Sequence, residues 1–93
     1  MTVTRFKGAA DNADEIIAKH AALVSAIRAV VSGLDETWLG RTGEDAWISI
    51  WRWDSPERLR EAQGLAQKLP ETPEAFAVVS DVTGEEVELL DES

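Results

Sequence analysis

One histidine, four tryptophans and the residues between them carry most of the chemistry this 93-residue chain can offer. Trp47, Trp51 and Trp53 fall at odd positions of the run DAWISIWRWDSPE, from Asp45 to Glu57. In a strand alternate side chains share a face, so these three rings and Ser49 form one stripe. Such a stripe makes a flat apolar wall for an aromatic ligand, with indole N–H groups to orient a ligand oxygen. Packing in a core or an interface is the plainer use of the same rings. Trp38, on the neighbouring segment, is expected to extend the wall.

His20 lies four residues after Ile16 and three before Leu23. On a helix it therefore projects with the apolar stripe, toward whatever that helix covers. An imidazole facing a cavity can accept a proton from a phenol near neutral pH. The plainer alternative is a wet or hydrogen-bonded histidine at the edge of the stripe. No second histidine and no cysteine accompany it, so no transition-metal site is expected. Arg52 alternates with the tryptophans and belongs to the opposite stripe. It either pairs with an acidic residue at an interface or, if that face lines the cavity, orients a ligand oxyanion; Arg5 and Arg41 are weaker candidates of the same kind. Ser49 has no His–Asp pattern around it in the sequence and is not read as a nucleophile.

The opposite stripe of the tryptophan strand is Ala46, Ile48, Ile50 and Arg52, which is also mostly apolar. A strand that is apolar on both sides must be covered on both sides. The remaining elements have to supply that cover. Thr2 to Lys7 alternates and reads as a first strand, ended by Gly8. Asn12 to Glu15 has the layout of a capping box. A helix follows from Ala13 to about Ser32, with Ile16, Ile17, Leu23, Val24, Ile27, Val30 and Val31 as its apolar stripe and Gly33 as terminator. Glu36 to Arg41 reads as a second strand, joined by a glycine-containing turn to the third, Ala46 to Trp53. Asp54 or Ser55 caps a second helix, with Pro56 in its first turn, running to about Lys68. Gly64 weakens that helix by ~1 kcal/mol relative to alanine. Thr72-Pro73 starts a short third helix to about Ser80; a strand through residues 76–79 competes with it. Glu85 to Leu90, after Gly84, is the last strand, and the final few residues are expected to fray.

Strand, helix, strand, strand, helix, short helix, strand is the ferredoxin-like α+β order βαββαβ. Its sheet is antiparallel, with the helices on one face. The chain has the length of one small domain, residues 1–93. With the third strand apolar on both sides, the face away from the helices needs a second copy to cover it, so a two-fold homodimer is expected.

Charge narrows the partners. Eighteen acidic residues against nine basic ones give a formal net charge of −9. Nucleic acid and anionic membrane surfaces are repelled by that field and are not expected partners. The absence of cysteine excludes disulfides and thiolate chemistry. The first ten residues lack the apolar core of a signal peptide, and no apolar run approaches the ~20 residues that span a bilayer. A cytoplasmic location is the expectation. The acidic stretch from Asp81 to Glu92 matches no EF-hand loop and reads as a solvated edge strand. There is no glycine-rich phosphate loop for a nucleotide or flavin.

The chain resembles the antibiotic biosynthesis monooxygenase-like domains of the dimeric α/β-barrel superfamily. The resemblance is strongest at Ile50-Trp-Arg-Trp-Asp-Ser-Pro-Glu57, with lesser matches at Phe6-Lys-Gly8 and Pro73-Glu-Ala-Phe76. It implies a homodimeric barrel with a cavity in each subunit, between sheet and helices. Activities known in that group include cofactor-independent oxygenation of quinol-like polyketides, haem degradation and aromatic ring closure. The haem-degrading branch has an Asn in the first strand and a Trp and a His in the second helix. This chain has neither feature, and it lacks the Tyr that often lines the oxygenase pockets. The resemblance thus points to a hydrophobic aromatic small molecule as ligand and to oxygenation with no cofactor. His20 is then the proton acceptor, since only the deprotonated, electron-rich substrate can pass an electron to oxygen. Trp47, Trp51, Trp53, Trp38 and Arg52 are the expected ligand contacts. A polyketide cyclase using the same pocket, or a non-catalytic binding or dimerisation domain, are the alternatives.

Overall fold

A computed structural model describes residues 1–88 and Leu90. The elements are β1 (Thr2–Lys7), a 3-10 turn (Ala10–Asn12), α1 (Ala13–Val30), β2 (Leu34–Arg41), β3 (Ala46–Trp53), α2 (Pro56–Ala66), α3 (Glu71–Ala77) and β4 (Ser80–Glu86). The four strands form one sheet in the order β2-β3-β1-β4. Every pairing in it is antiparallel. This is the ferredoxin-like α+β arrangement expected from the element order. No helix of the described residues is long and apolar enough to cross a membrane.

Register decides which side chains meet the helices. Thr2, Thr4 and Phe6 of β1 stand opposite Trp51, Ser49 and Trp47 of β3. Directly opposed residues of antiparallel strands share a face. Phe6 and Trp47 pack against Ile16 of α1, so this shared face is the one under the helices. A second cluster, Val24, Ile27, Val31, Leu34 and Ala62, joins α1 and α2 over the other end of the sheet, with Trp51 and Trp53 beneath it.

The first and third strands fall at Thr2–Lys7 and Ala46–Trp53 as expected, and α1 starts at Ala13 as expected, while several other boundaries shift. The 3-10 turn occupies the chain just before α1, and Asn12 makes no side-chain cap bond, so the expected capping box does not form. Helix α1 ends at Val30, and Val31 is already extended. Ile17 and Val30 are exposed, one step round the helix from the buried Ile16, Val24 and Ile27. Ser55 is the cap of α2: its hydroxyl accepts the Arg58 N–H at 3.4 Å, and Pro56 sits in the first turn. Residues 76–79 form no strand. Helix α3 begins at Glu71, two residues before Pro73, because the Thr72 hydroxyl donates to the Ala66 carbonyl at 2.7 Å and so ties α3 back to α2.

The last strand runs over Ser80–Glu86 and carries Gly84 within it, opposite Thr4. Sequence patterning starts this strand too late, because all seven of its residues are exposed and show no alternation. As expected it is an acidic edge, tied to β1 by an Arg5–Glu85 ion pair at 3.0 Å. The expected fraying of the final residues concerns positions outside those described, apart from Leu90.

Gly33 is the terminator that α1 needs. Its φ of +98° lies in the left-handed region. A Cβ there would strike Asp54 Oδ1 and come within 2.8 Å of Arg58 Cγ. The Gly33 carbonyl also accepts the Asp54 N–H at 2.8 Å, joining the entry of β2 to the exit of β3. Gly33→Ala is expected to destabilise the fold by about 1–3 kcal/mol. The check is a lower urea midpoint at unchanged m-value.

Candidate functional site

Between the sheet and the three helices lies a cavity of about 340 Å³. That lies within the usual range for small-molecule sites, ~300–1,000 Å³. It is more than twice the ~150 Å³ apolar cavity that holds a benzene ring. Its floor is Thr4 and Phe6 of β1 with Ser49, Trp51 and Trp53 of β3. Ile16, His20 and Leu23 of α1 form one wall, while Leu59, Ala62 and Ala66 of α2 form the other. Ala75 and Phe76 of α3 add to the lining, with Gln63 of α2 and Thr72 of α3 among its polar residues. The volume exists because large rings on the sheet face small side chains on α2 and α3.

His20, Ser49 and Trp51 meet in a hydrogen-bonded triangle on this lining. His20 Nε2 lies 2.7 Å from Ser49 Oγ. The Trp51 indole N–H donates to Ser49 Oγ at 2.8 Å and has His20 Nε2 at 3.4 Å. The imidazole stands edge-on to the Trp51 ring, with centroids 6.1 Å apart and planes at 89°. Trp53 continues the wall 6.1 Å further, tilted by 35°.

His20 is the one ionisable side chain among the residues lining the cavity. Burial disfavours its charged form and holds its pKa below the ordinary 6.5. The imidazole is therefore neutral at pH 7 and available as a base. Among the described residues no three of His, Cys, Asp and Glu converge as a metal site would require.

The structure thus brings His20, Trp51 and Trp53 together on the cavity and places the other expected contacts elsewhere. Trp47 shares their stripe but lies beyond the cavity lining. It is buried, stacks on Phe6 at 6.2 Å and donates to the Gly8 carbonyl at 3.3 Å. The Arg41 guanidinium lies 5.2 Å from its ring centroid. Trp38 does not extend the wall: the hairpin register sets it opposite Ile50, on the face away from the helices, where it is exposed. Arg52 stands opposite Glu36 on that same outer face and does not line the cavity. Ser49 is the residue that sequence reasoning passed over. Its signal was present: it shares a face with Trp51 two positions on, beneath the inward stripe that carries His20. Phe76 was obscured by the competing helix and strand patterns around it.

The depressed imidazole pKa has a stability consequence of definite sign. As pH falls through 6.5 the unfolded chain takes up a proton that the folded chain resists. This contribution is fully present above pH 6.5 and is lost as pH falls through that value toward the lower, folded pKa. With a single histidine in the chain, His20→Gln is expected to flatten the dependence of the urea midpoint on pH just below 6.5.

The sequence matches no family model and no curated protein. Solved structures do match in fold. SnoaB, a cofactor-independent oxygenase from Streptomyces nogalater, is 21% identical, with 98% of this chain and 95% of that one covered at a TM-score of 0.63. A dimeric ferredoxin-like protein from an uncultured marine organism is 14% identical, with 99% and 91% covered at a TM-score of 0.65. A Deinococcus radiodurans protein provisionally named an antibiotic biosynthesis monooxygenase is 15% identical, with 100% and 98% covered at a TM-score of 0.64. Such identities carry architecture rather than chemistry. The chain has the ferredoxin-like α+β fold of the antibiotic biosynthesis monooxygenase-like structures.

Proposed function

We propose that this protein binds a flat, largely apolar hydroxylated aromatic molecule in its cavity and oxygenates it with no metal or organic cofactor. The observation that carries this reading is a tryptophan-walled cavity of about 340 Å³ whose sole ionisable lining residue is a neutral histidine. Trp51 and Trp53 hold the ring system. His20 takes the phenolic proton, which leaves an electron-rich anion able to reduce oxygen by one electron. Recombination of the substrate radical with superoxide joins both oxygen atoms to a ring carbon as a peroxide, which takes up the proton held by His20. Loss of the hydrogen on that carbon then breaks the O–O bond, leaving one oxygen on the ring as a carbonyl and releasing the other as water. The likeness in fold to SnoaB is consistent with this chemistry.

Oxygen uptake with dihydroxynaphthalenes and anthrones tests the proposal. His20→Ala is expected to lower the rate by about 10²–10⁴-fold, the usual worth of a positioned base. Undiminished activity in that variant would remove His20 from the role. Product mass separates oxygenation, which adds oxygen, from a polyketide cyclase, which loses water.

The same reading includes a homodimer closed over the outer face of the sheet. Trp38, Ile50 and Val3 form a continuous apolar row across β2, β3 and β1, with Ile48 beside it. Trp38 is 47% exposed in the single chain, an arrangement that a second copy would relieve. Ile50→Asp is expected to shift sedimentation to the monomer; a wild-type protein that sediments as a single chain would refute the dimer.

A further inference from the structure

Chemistry fixes the direction of one hydrogen bond in the triangle, and the histidine tautomer sets the other. An indole N–H can only donate, so Ser49 Oγ accepts from Trp51. The 2.7 Å contact between Ser49 Oγ and His20 Nε2 runs from the hydroxyl to the imidazole when the neutral ring carries its proton on Nδ1, and from Nε2–H to the hydroxyl in the other tautomer. The Trp51 N–H also reaches Nε2 at 3.4 Å, a contact that is attractive only when Nε2 presents a lone pair. This geometry favours the Nδ1–H tautomer, with the Nε2 lone pair facing the Ser49 hydroxyl and the Trp51 N–H. A hydroxyl has two acceptor lone pairs, and Trp51 uses one of them. The other has no hydrogen-bond partner among the described residues, and Ser49 lines the cavity.

We propose that Ser49 is a further catalytic residue and meets the substrate first: its Oγ accepts the phenolic proton while its own hydroxyl proton passes to His20 Nε2. This rests on the reading of His20 as the base. The phenol O–H bond breaks and a new Ser49 O–H bond forms. The old Ser49 O–H bond breaks and an Nε2–H bond forms. The electron pair of the phenol O–H stays on the substrate as phenolate, the imidazole becomes imidazolium, and the serine is restored. The Trp51 and imidazolium N–H groups then both point at Ser49 Oγ, which polarises its new proton toward the phenolate. The triangle thus serves as relay and as oxyanion donor.

Long-range ¹H–¹⁵N NMR of the single histidine tests the starting state without any ligand. The relay requires Nδ1–H and a bare Nε2 above pH 6.5; the reverse tautomer overturns it. The second measurement uses a nitronaphthol probe, whose phenolate absorbs in the visible. Ser49→Ala is expected to lower the ionisation constant of the bound probe about tenfold, the worth of a hydrogen bond to a charged group. Ser49→Thr, which keeps the hydroxyl, is expected to restore it. If Ser49 only held the ring in place, its removal would free Nε2, and ionisation in Ser49→Ala would stay level or rise. That outcome, with His20→Ala still lowering ionisation, overturns the relay and spares the base. An unchanged ionisation in His20→Ala overturns the base assignment and the relay together.

Discussion

The period of two in β3 is the constraint on which the rest of this molecule depends. It sends Trp47, Ser49, Trp51 and Trp53 under the helices, and Ile48, Ile50 and Arg52 to the other side. A slip of one residue would place the isoleucines and an arginine beneath α1 and α2 and turn three indoles outward. Two interactions hold the register. At one end Trp47 is locked between Phe6, the Gly8 carbonyl and the Arg41 guanidinium. At the other, the Asp54 N–H bonds the Gly33 carbonyl, at a position where only glycine adopts the backbone angle without strain. Trp47 therefore serves the site from outside it. Truncation of a buried aromatic of this size typically costs ~3–5 kcal/mol, a large part of what a small domain has.

The cavity is the counterpart of that rigidity. Helix α1 buries Ile16, Val24 and Ile27 and is firmly anchored. Helix α3 buries no residue and is held to α2 by the Thr72–Ala66 hydrogen bond and to α1 by an exposed Lys19–Glu74 pair at 3.6 Å. Exposed pairs of this kind are worth under ~1 kcal/mol. Alanines on α2 and α3 face the two indoles across the gap, so the space between them is left unfilled. His20 thus sits on a helix anchored by its own core residues, and α3 is the least buried of the three helices around the cavity.

How much of this was legible in the sequence depended on the range of the information needed. Parity within β3 is local, so the shared stripe of Ser49 and the three indoles could be read directly. The inward projection of His20 followed from helical spacing to Ile16 and Leu23. Placement of Trp38 and Arg52 required the pairing of β2 with β3 and knowledge of which face the helices cover; both are tertiary facts. The β2–β3 register also shifts between Leu34 and Glu36, which no residue pattern announces. The acidic last strand gave no period because it is solvated on every residue. The hydrogen bond between Ser49 and His20 joins positions 29 apart in the chain, and motif spacing is blind to it.

Electrostatics bear on the triangle of His20, Ser49 and Trp51. The formal charge of −9 would by itself favour a protonated imidazole. At physiological ionic strength, however, surface charges more than ~8 Å away are largely screened. Desolvation acts locally and wins, so the histidine stays neutral. The same apolar walls and acidic exterior would oppose an anion left in the cavity. On the proposed reading, a phenolate formed there is compensated where it forms, by the imidazolium and by neighbouring hydrogen-bond donors. On that reading Ser49 donates to the phenolate once it has taken up the new proton, with the Trp51 N–H behind it, and neither adds a charge that the empty cavity would have to bear. A lysine or arginine at this point would stabilise the anion more strongly, but it would impose a desolvation penalty of several kcal/mol on the empty site. On the proposed reading, a neutral triad that becomes charged only when the substrate does would avoid that cost.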